Sequence, residues 1–142
     1  MYVVKVIYTL YIKLHQKKAM LLHYKSLEIK GEIEIHRLKR NSYLFIFIEE
    51  GDFKLHLSKN ENKEFSSGIL FLNNKNIEKL IAQSANGSIS IIEIDELFMS
   101  DFLVDITGLL KQHQFVKLDH EECFTNVLSL FKMMKYEIEL NH

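Results

Sequence analysis

The fold is decided by residues 43–57, YLFIFIEEGDFKLHL. The first six residues are all apolar, which is typical of a central β-strand that is covered on both faces. An acidic corner that ends at Gly51 interrupts this run, and Phe53, Leu55 and Leu57 then alternate strictly with polar residues. Alternation of this kind indicates a half-buried strand. The stretch therefore predicts two strands joined by a tight turn.

The residues on either side extend the same pattern. Residues 27–35 alternate between aliphatic and charged side chains around Gly31, which predicts a strand with a bulge or bend. Residues 59–63 predict a turn, Gly68 introduces a strand at residues 69–72, and another short strand is predicted at residues 77–82. Asn86-Gly87 is a strong hairpin signal before an apolar strand at residues 88–94. Short strands at this spacing favour an antiparallel sandwich or barrel.

The two ends of the chain have different patterns. Residues 3–12 predict a strand or an N-terminal arm, and Met20 leaves open that the natural start of the protein lies there. Lys5 and Lys13 interrupt the apolar run, so we expect neither a membrane span nor a membrane partner. After Asp95 the period becomes helical. It predicts one helix through Phe98 and Leu110, a linker at residues 113–118 and a second helix at residues 119–140.

The second helix has an unusually wide apolar stripe. Asp119 is the expected N-cap of this helix, with Glu122 completing a capping box. We expect one subunit to cover only part of the stripe, so the sequence predicts a homodimer through this helix. The predicted interface residues are Phe124, Val127, Leu128, Phe131, Met134 and Ile138.

Composition limits the functions that the chain can have. A length of 142 residues with 47% hydrophobic content suits one domain with a core, and the formal net charge is −1. The charge is spread without basic clusters, so this chain alone is expected to bind DNA poorly. The one cysteine, Cys123, excludes an internal disulfide and fits a reducing, cytoplasmic compartment.

The sequence contains no recognisable catalytic device. It has neither a glycine-rich phosphate loop nor a nucleophile elbow, and its seven histidines show no paired ligand spacing. Cys123 has only His120 near it at helical spacing. We therefore predict that the chain is not an enzyme.

Residues 43–80 resemble the cupin-like sensor domain of AraC-type transcription regulators. The resemblance rests on the Glu50-Gly51 corner, on the sequence GILFLNN at residues 68–74 and on the helical tail, and it covers residues 27–140. It implies a mainly β fold with C-terminal helices (α+β), in which a cupin-like antiparallel β-barrel or jelly roll is followed by two helices. The implied divisions are an N-terminal arm at 1–26, the barrel at 27–95 and a helical dimerisation segment at 96–142.

The resemblance also implies a function. In this family the barrel binds a small effector, the domain dimerises, and a C-terminal helix-turn-helix half that this chain lacks binds DNA. The expected pocket residues are Arg40, Tyr43, Phe45, Phe47, Phe71 and Glu78. The positions that hold a metal in enzymatic cupins fall near Leu38, Arg40, Leu44 and Glu78, so we expect neither a metal nor another cofactor. The alternatives are a free-standing cupin enzyme, such as an isomerase, and a protein-interaction barrel without an effector.

Overall fold

A computed structural model of the chain describes residues 2–16, 22–37, 41–58, 61–74, 77–95 and 115–140. These residues form two helices and seven strands. In chain order they are α1 (Tyr2–Gln16), β1 (Leu22–Glu34), β2 (Ser42–Glu50), β3 (Phe53–Ser58), β4 (Glu61–Phe65), β5 (Gly68–Asn73), β6 (Ile81–Asp95), β7 (Phe115–Lys117) and α2 (Glu121–Leu140).

The strands form one antiparallel sheet organised around β6. The order is β4-β3-β6-β2-β5-β7, and β1 pairs with the other edge of β6. The first part of β6 pairs with β3 and the second part with β2, so the long β1–β6 ribbon belongs to both halves of the sheet. The sheet curls into a half-barrel. The predicted mainly antiparallel β fold is confirmed.

The predicted hairpin at Asn86-Gly87 is wrong, because both residues lie within the single strand β6. A type I′ turn needs positive φ at both central residues, and among the described residues only Gly31 and Gly51 have positive φ. Lys30 of β1 instead lies opposite two residues of β6, Ala85 and Asn86, which makes a β-bulge. We infer that this bulge bends β6 between the part paired with β3 and the part paired with β2.

The predicted corner between the first two core strands is present. Gly51 has φ +92° and joins β2 to β3, and a Cβ there would lie only 2.6 Å from the backbone oxygen of Asn86. The strand predicted from Gly68 is present as β5. Part of the predicted turn at residues 59–63 belongs to β4, and the strand predicted at residues 77–82 begins only at Ile81, as the start of β6.

The side chains of the sheet divide between two apolar clusters, one on each face. The inner cluster is built from strands and their connections: Ile29, Ile35, Leu44, Ile46, Ile48, Phe53, Leu55, Leu70, Leu72, Leu80, Ala82, Ile89 and Ile91. The helix-side cluster joins the other face to both helices: Val6, Ile7, Leu10, Leu14, Tyr43, Phe45, Phe47, Ile69, Phe71, Ile92, Ile94, Leu118, Val127, Leu130, Phe131, Met134 and Ile138. The predicted central strand, β2, is therefore covered on both faces.

The first residues of the chain form a helix, so the predicted strand at residues 3–12 is wrong. Val6, Ile7, Leu10 and Leu14 are buried at helical spacing, and α1 packs beside α2. The β-branched and aromatic residues of this stretch favour a strand locally, but burial of a helical stripe against α2 outweighs that preference. The regular sheet begins at Leu22, five residues before the first predicted strand.

The end of the chain departs from prediction in one element. The predicted linker at residues 113–118 contains β7, which extends the sheet beyond β5. The predicted helix through Phe98 and Leu110 lies outside the described residues. The last predicted helix is α2, which starts at Glu121, while the expected cap residue Asp119 forms an ion pair with Lys117 at 3.5 Å.

Candidate functional site

A buried polar cluster lies on the inner face of the half-barrel, and we call it the closure cluster. Its members Ser42, Asn74 and Glu93 are at most 5% exposed and come from the start of β2, the end of β5 and the end of β6. Ser42 Oγ donates to Glu93 Oε2 at 2.9 Å and accepts from Asn74 Nδ2 at 2.9 Å. Buried polar groups paired in this way fix the relative positions of the strands that carry them.

Arg37 completes the closure cluster and supplies its cation. Its Nη1 donates to Asn74 Oδ1 at 2.5 Å and to the carbonyl of Ile77 at 2.8 Å, and its Nη2 donates to the carbonyl of Glu78 at 2.8 Å. The guanidinium thereby ties the segment after β1 to the segment between β5 and β6. All three acceptors are neutral oxygens, so none of them neutralises the positive charge of Arg37.

A second candidate site is an open cavity of about 490 Å³ at the ends of β3 and β4, which we call the outer groove. It is lined by Asp52, Phe53, Lys54, Glu64, Phe65, Ser66, Gln83, Ser84 and Ala85. Glu64, Lys54 and Gln83 lie directly opposite one another on three adjacent strands, and Lys54 Nζ is 3.7 Å from Glu64 Oε1. This volume lies within the range of small-molecule sites in proteins.

A third polar network connects the sheet to α2. The hydroxyl of Tyr24 donates to Ser90 Oγ at 2.9 Å, and Ser90 in turn donates to the carboxylate of Glu49. Lys135 Nζ of α2 lies 5.7 Å from the centre of the Tyr24 ring. Burial raises the pKa of Tyr24 above its ordinary value, and the carboxylates of Glu49 and Glu139 act in the same direction, while the hydrogen bond to Ser90 opposes them.

The structure brings together four of the six predicted pocket residues, on the helix side of the sheet. Tyr43, Phe45, Phe47 and Phe71 lie in the helix-side cluster, where the rings of Phe45 and Phe71 are 4.9 Å apart. Alternation along β2 and β5 puts them there, because the neighbouring residues fill the inner face. Glu78 is exposed and contributes its backbone carbonyl to Arg37. Arg40 lies outside the described residues.

The six predicted interface residues are covered within one chain. Val127, Phe131, Met134 and Ile138 are buried, and Phe124 and Leu128 are partly buried against the same cluster. α1 helps to cover these six positions, which the sequence analysis assigned to a second subunit. The large hydrophobic residues that α2 leaves exposed are Met133, Tyr136 and Leu140, which share one face at helical spacing.

Two of the four predicted metal positions lie among the described residues. Leu44 is buried in the inner cluster, Glu78 is exposed, and Leu38 and Arg40 lie outside the described residues. In the part of the chain that the structure describes, no three His, Cys, Asp or Glu side chains are grouped to hold a metal ion. Across those same residues, no helix combines the length and apolar character that crossing a membrane requires.

Sequence reasoning did not identify the closure cluster. Its one visible signal is Glu93, an acidic residue inside the apolar run SIIEI at residues 90–94. A charge in such a run indicates a partner on a neighbouring strand, because a buried carboxylate without one is costly. Ser42, Asn74 and Arg37 fall at strand ends and in connections, where no sequence period marks them.

The chain matches no protein-family model and no curated protein sequence. Among solved structures it is similar to ToxT from Vibrio cholerae O395 bound to (E)-4-(8-methylnaphthalen-1-yl)but-3-enoic acid, with 20% identity, a TM-score of 0.55 and coverage of 85% of this chain and 50% of ToxT. A second ToxT structure gives 17% identity, a TM-score of 0.53 and coverage of 83% and 53%. A cupin-2 domain protein from Shewanella frigidimarina is similar at 15% identity, with a TM-score of 0.42 over 51% of this chain and 70% of that protein.

These likenesses concern the fold. The chain shares its fold with the ToxT structures over most of its length, and the prediction of a mainly antiparallel β fold followed by a helix is confirmed. The chain spans about half the length of the ToxT structures it matches.

Proposed function

We propose that this chain is the effector-sensing and dimerisation domain of an AraC-type transcription regulator that acts in the cytoplasm and has no catalytic activity of its own. The observation that carries the proposal is the fold likeness to ToxT, which extends over 85% of the chain. DNA binding would belong to a further helix-turn-helix segment, in keeping with coverage of only half of ToxT.

The proposed effector is a carboxylic acid with an apolar body, bound at the closure cluster. ToxT was solved with an acid of this kind, a naphthyl butenoic acid. In this chain Arg37 offers a guanidinium whose three described partners are neutral, and guanidinium pairs with carboxylate in two parallel hydrogen bonds. Such binding would compete with the bonds that join Arg37 to the segment after β5, so an acid would alter how the half-barrel closes.

The naphthyl butenoic acid itself is a direct probe of this effector site. Calorimetric titration of the chain should show binding of the acid and at least about tenfold weaker binding of its primary amide, because only the carboxylate gains a charge-assisted pair. Arg37→Gln should weaken acid binding by about the same factor, and Arg37→Lys should retain part of it. The matched control is Lys30→Gln, an exposed cation on β1.

Equal affinity for acid and amide would contradict carboxylate recognition. Because Arg37 also ties two segments together, the circular dichroism spectrum and melting temperature of each variant must be recorded first. Arg37 would be excluded as the recognition residue if both variants, Arg37→Lys and Arg37→Gln, were folded and bound the acid as tightly as the wild type does.

The proposed dimer uses the exposed face of α2. Met133, Tyr136 and Leu140 are 43%, 64% and 63% exposed and lie on one face of the helix, so a second copy can cover them without disturbing the core. Tyr136→Glu with Leu140→Glu should convert a dimer into a folded monomer in light-scattering measurements. Thr125→Glu, an exposed position near the start of the same helix, is the control. A dimer that survives the double substitution would place the interface elsewhere.

A further inference from the structure

The described bonds of Arg37 leave one edge of its guanidinium open. The group carries five N–H donors, three of which bind Asn74 Oδ1 and the carbonyls of Ile77 and Glu78. These bonds use both hydrogens of Nη1 and one of Nη2, and no described residue accepts a hydrogen bond from Nε. Nε and Nη2 form the side edge of the planar group, which can bind a carboxylate through two parallel hydrogen bonds. Arg37 is half-buried, which leaves part of it accessible to a ligand.

The side chain of Asn74 can hold Arg37 in one orientation only. A guanidinium donates hydrogen bonds and accepts none, so Asn74 must present its oxygen to Arg37 and its amine to Ser42. Ser42 in turn donates to Glu93, so the three bonds run in one direction, from the cation to a buried carboxylate. Turning the amide over would bring its amine against the donors of Arg37. The side chain of Asn74, which is 2% exposed, is therefore fixed by its neighbours.

Asn74 also anchors the connection that supplies the two backbone acceptors of Arg37. The carbonyl of Asn74 accepts a hydrogen bond from the N–H of Ile77 at 3.2 Å, and the carbonyls of Ile77 and Glu78 bind the guanidinium. Among the described residues, no other side chain forms a hydrogen bond with Arg37. One residue after β5 therefore contacts the guanidinium directly and supports the backbone that contacts the rest of it.

From this geometry we propose that Asn74 is a positioning residue for the effector, because it holds Arg37 so that the Nε–Nη2 edge meets the carboxylate of the acid. Ser42 and Glu93 hold Asn74 in turn. The proposal rests on the proposed effector site at the closure cluster. A carboxylate on this edge shares Nη2 with the carbonyl of Glu78, while the two bonds of Nη1 remain. The neutral charge of Asn74 also matters, because a carboxylate in its place would neutralise the guanidinium and repel the acid.

Two variants of the full chain test the role of Asn74, by calorimetric titration with the naphthyl butenoic acid and its primary amide. Asn74→Ala should weaken acid binding about three- to tenfold, the range for one hydrogen bond, and should change amide binding by less than about twofold. A merely structural role would weaken the binding of both ligands alike. Asn74→Asp keeps an acceptor for Arg37 but should weaken acid binding at least about tenfold. The matched control is Asn73→Ala, which alters the neighbouring, exposed asparagine.

A measurement on the wild type tests the open edge without a substitution at Asn74. In ¹H–¹⁵N spectra, the Nε–H signal of Arg37 should shift when the acid is added and should shift less with the amide. The signal is assigned by its loss in Arg37→Lys. If either Asn74 variant does not fold, this signal still decides the proposal, because an Nε–H signal that stays in place at saturating acid overturns it.

The outcomes separate this proposal from the proposed effector site. Acid binding in a folded Asn74→Ala variant that equals or exceeds wild-type binding, or that falls in parallel with amide binding, would overturn the positioning role and leave the effector site intact. Absence of acid binding in the wild type would refute the effector site and the positioning role together.

Discussion

Phe131→Ala tests whether the stripe of α2 is core or interface. Phe131 is fully buried in the helix-side cluster, with its ring 5.2 Å from that of Phe47. Truncation of a buried phenylalanine to alanine costs about 3–5 kcal/mol through lost burial and the cavity left behind. Domains of this size are stable by about 5–15 kcal/mol, so the variant should lose about a fifth or more of its stability.

Urea denaturation followed by circular dichroism measures this loss. With a denaturant slope of about 2 kcal/mol per molar, the midpoint should fall by about 1.5–2.5 M. Tyr8→Ala removes an aromatic ring from α1, but this ring is 52% exposed and is not part of the proposed dimer face, so the midpoint should move by no more than about 0.3 M. A Phe131→Ala variant with wild-type stability that changes from dimer to monomer would refute the core assignment and restore the interface that the sequence predicted.

Three further predictions concern the sheet. Gly51→Ala should destabilise the chain by about 2–4 kcal/mol in the same urea assay, because φ is positive at this residue and the backbone of Asn86 blocks the added Cβ. Gly31 also has a positive φ, +105°, but the space beside it is open, so Gly31→Ala should destabilise the chain by only about 1–2 kcal/mol. Ser42→Ala should destabilise by about 1–3 kcal/mol, since it removes one bond from each of two buried partners, and a loss below about 0.5 kcal/mol would contradict this role. Folding raises the pKa of Tyr24, so the stability that this residue contributes should be complete below the ordinary tyrosine pKa of 10.0 and should disappear as the pH rises through the pKa of the folded state. The difference in phenolate absorbance between the wild type and Tyr24→Phe measures the pKa of Tyr24. Ionisation of Tyr24 at or below pH 10 would contradict the prediction.

Strands were predictable from the sequence where the pattern of apolar and polar residues fitted a single kind of secondary structure. The run at residues 43–48 could only be a strand covered on both faces, and the corner at Gly51 needed a residue that accepts positive φ. The hairpin prediction at Asn86-Gly87 was wrong because the same two residues suit either a hairpin or a bulge. Only the pairing of β6 with β1 along the whole length of β6 selects the bulge. Local sequence does not contain that long-range pairing.

The two largest errors have one cause. Residues 3–12 are rich in residue types that favour strands, but Val6, Ile7 and Leu10 are also spaced to form one face of a helix. The prediction followed the composition, and the structure follows the spacing. Once this segment is assigned to the sheet, α2 loses part of its cover and its apolar stripe looks like an interface. The helix-side cluster shows that each helix buries the other's apolar face, so neither assignment can be made alone. Arg37 lies beside the buried polar side chains, whereas the predicted residue Arg40 lies outside the described residues. The sequence marks a basic segment here, but it does not show which residue barrel closure brings to the buried polar side chains.

The packing of the inner cluster decides where a ligand can bind. Its thirteen side chains are at most 3% exposed, so an apolar acid that entered the centre of the half-barrel would have to displace several of them. Exposing one such side chain costs about 1.5–3 kcal/mol. A drug-sized ligand gains about 0.3 kcal/mol per heavy atom, or about 5 kcal/mol for a naphthyl butenoic acid, so two or three displaced side chains would cancel its binding. We therefore expect a ligand to bind at polar positions beside the packed cluster, where Arg37 offers a charge without disturbing the core.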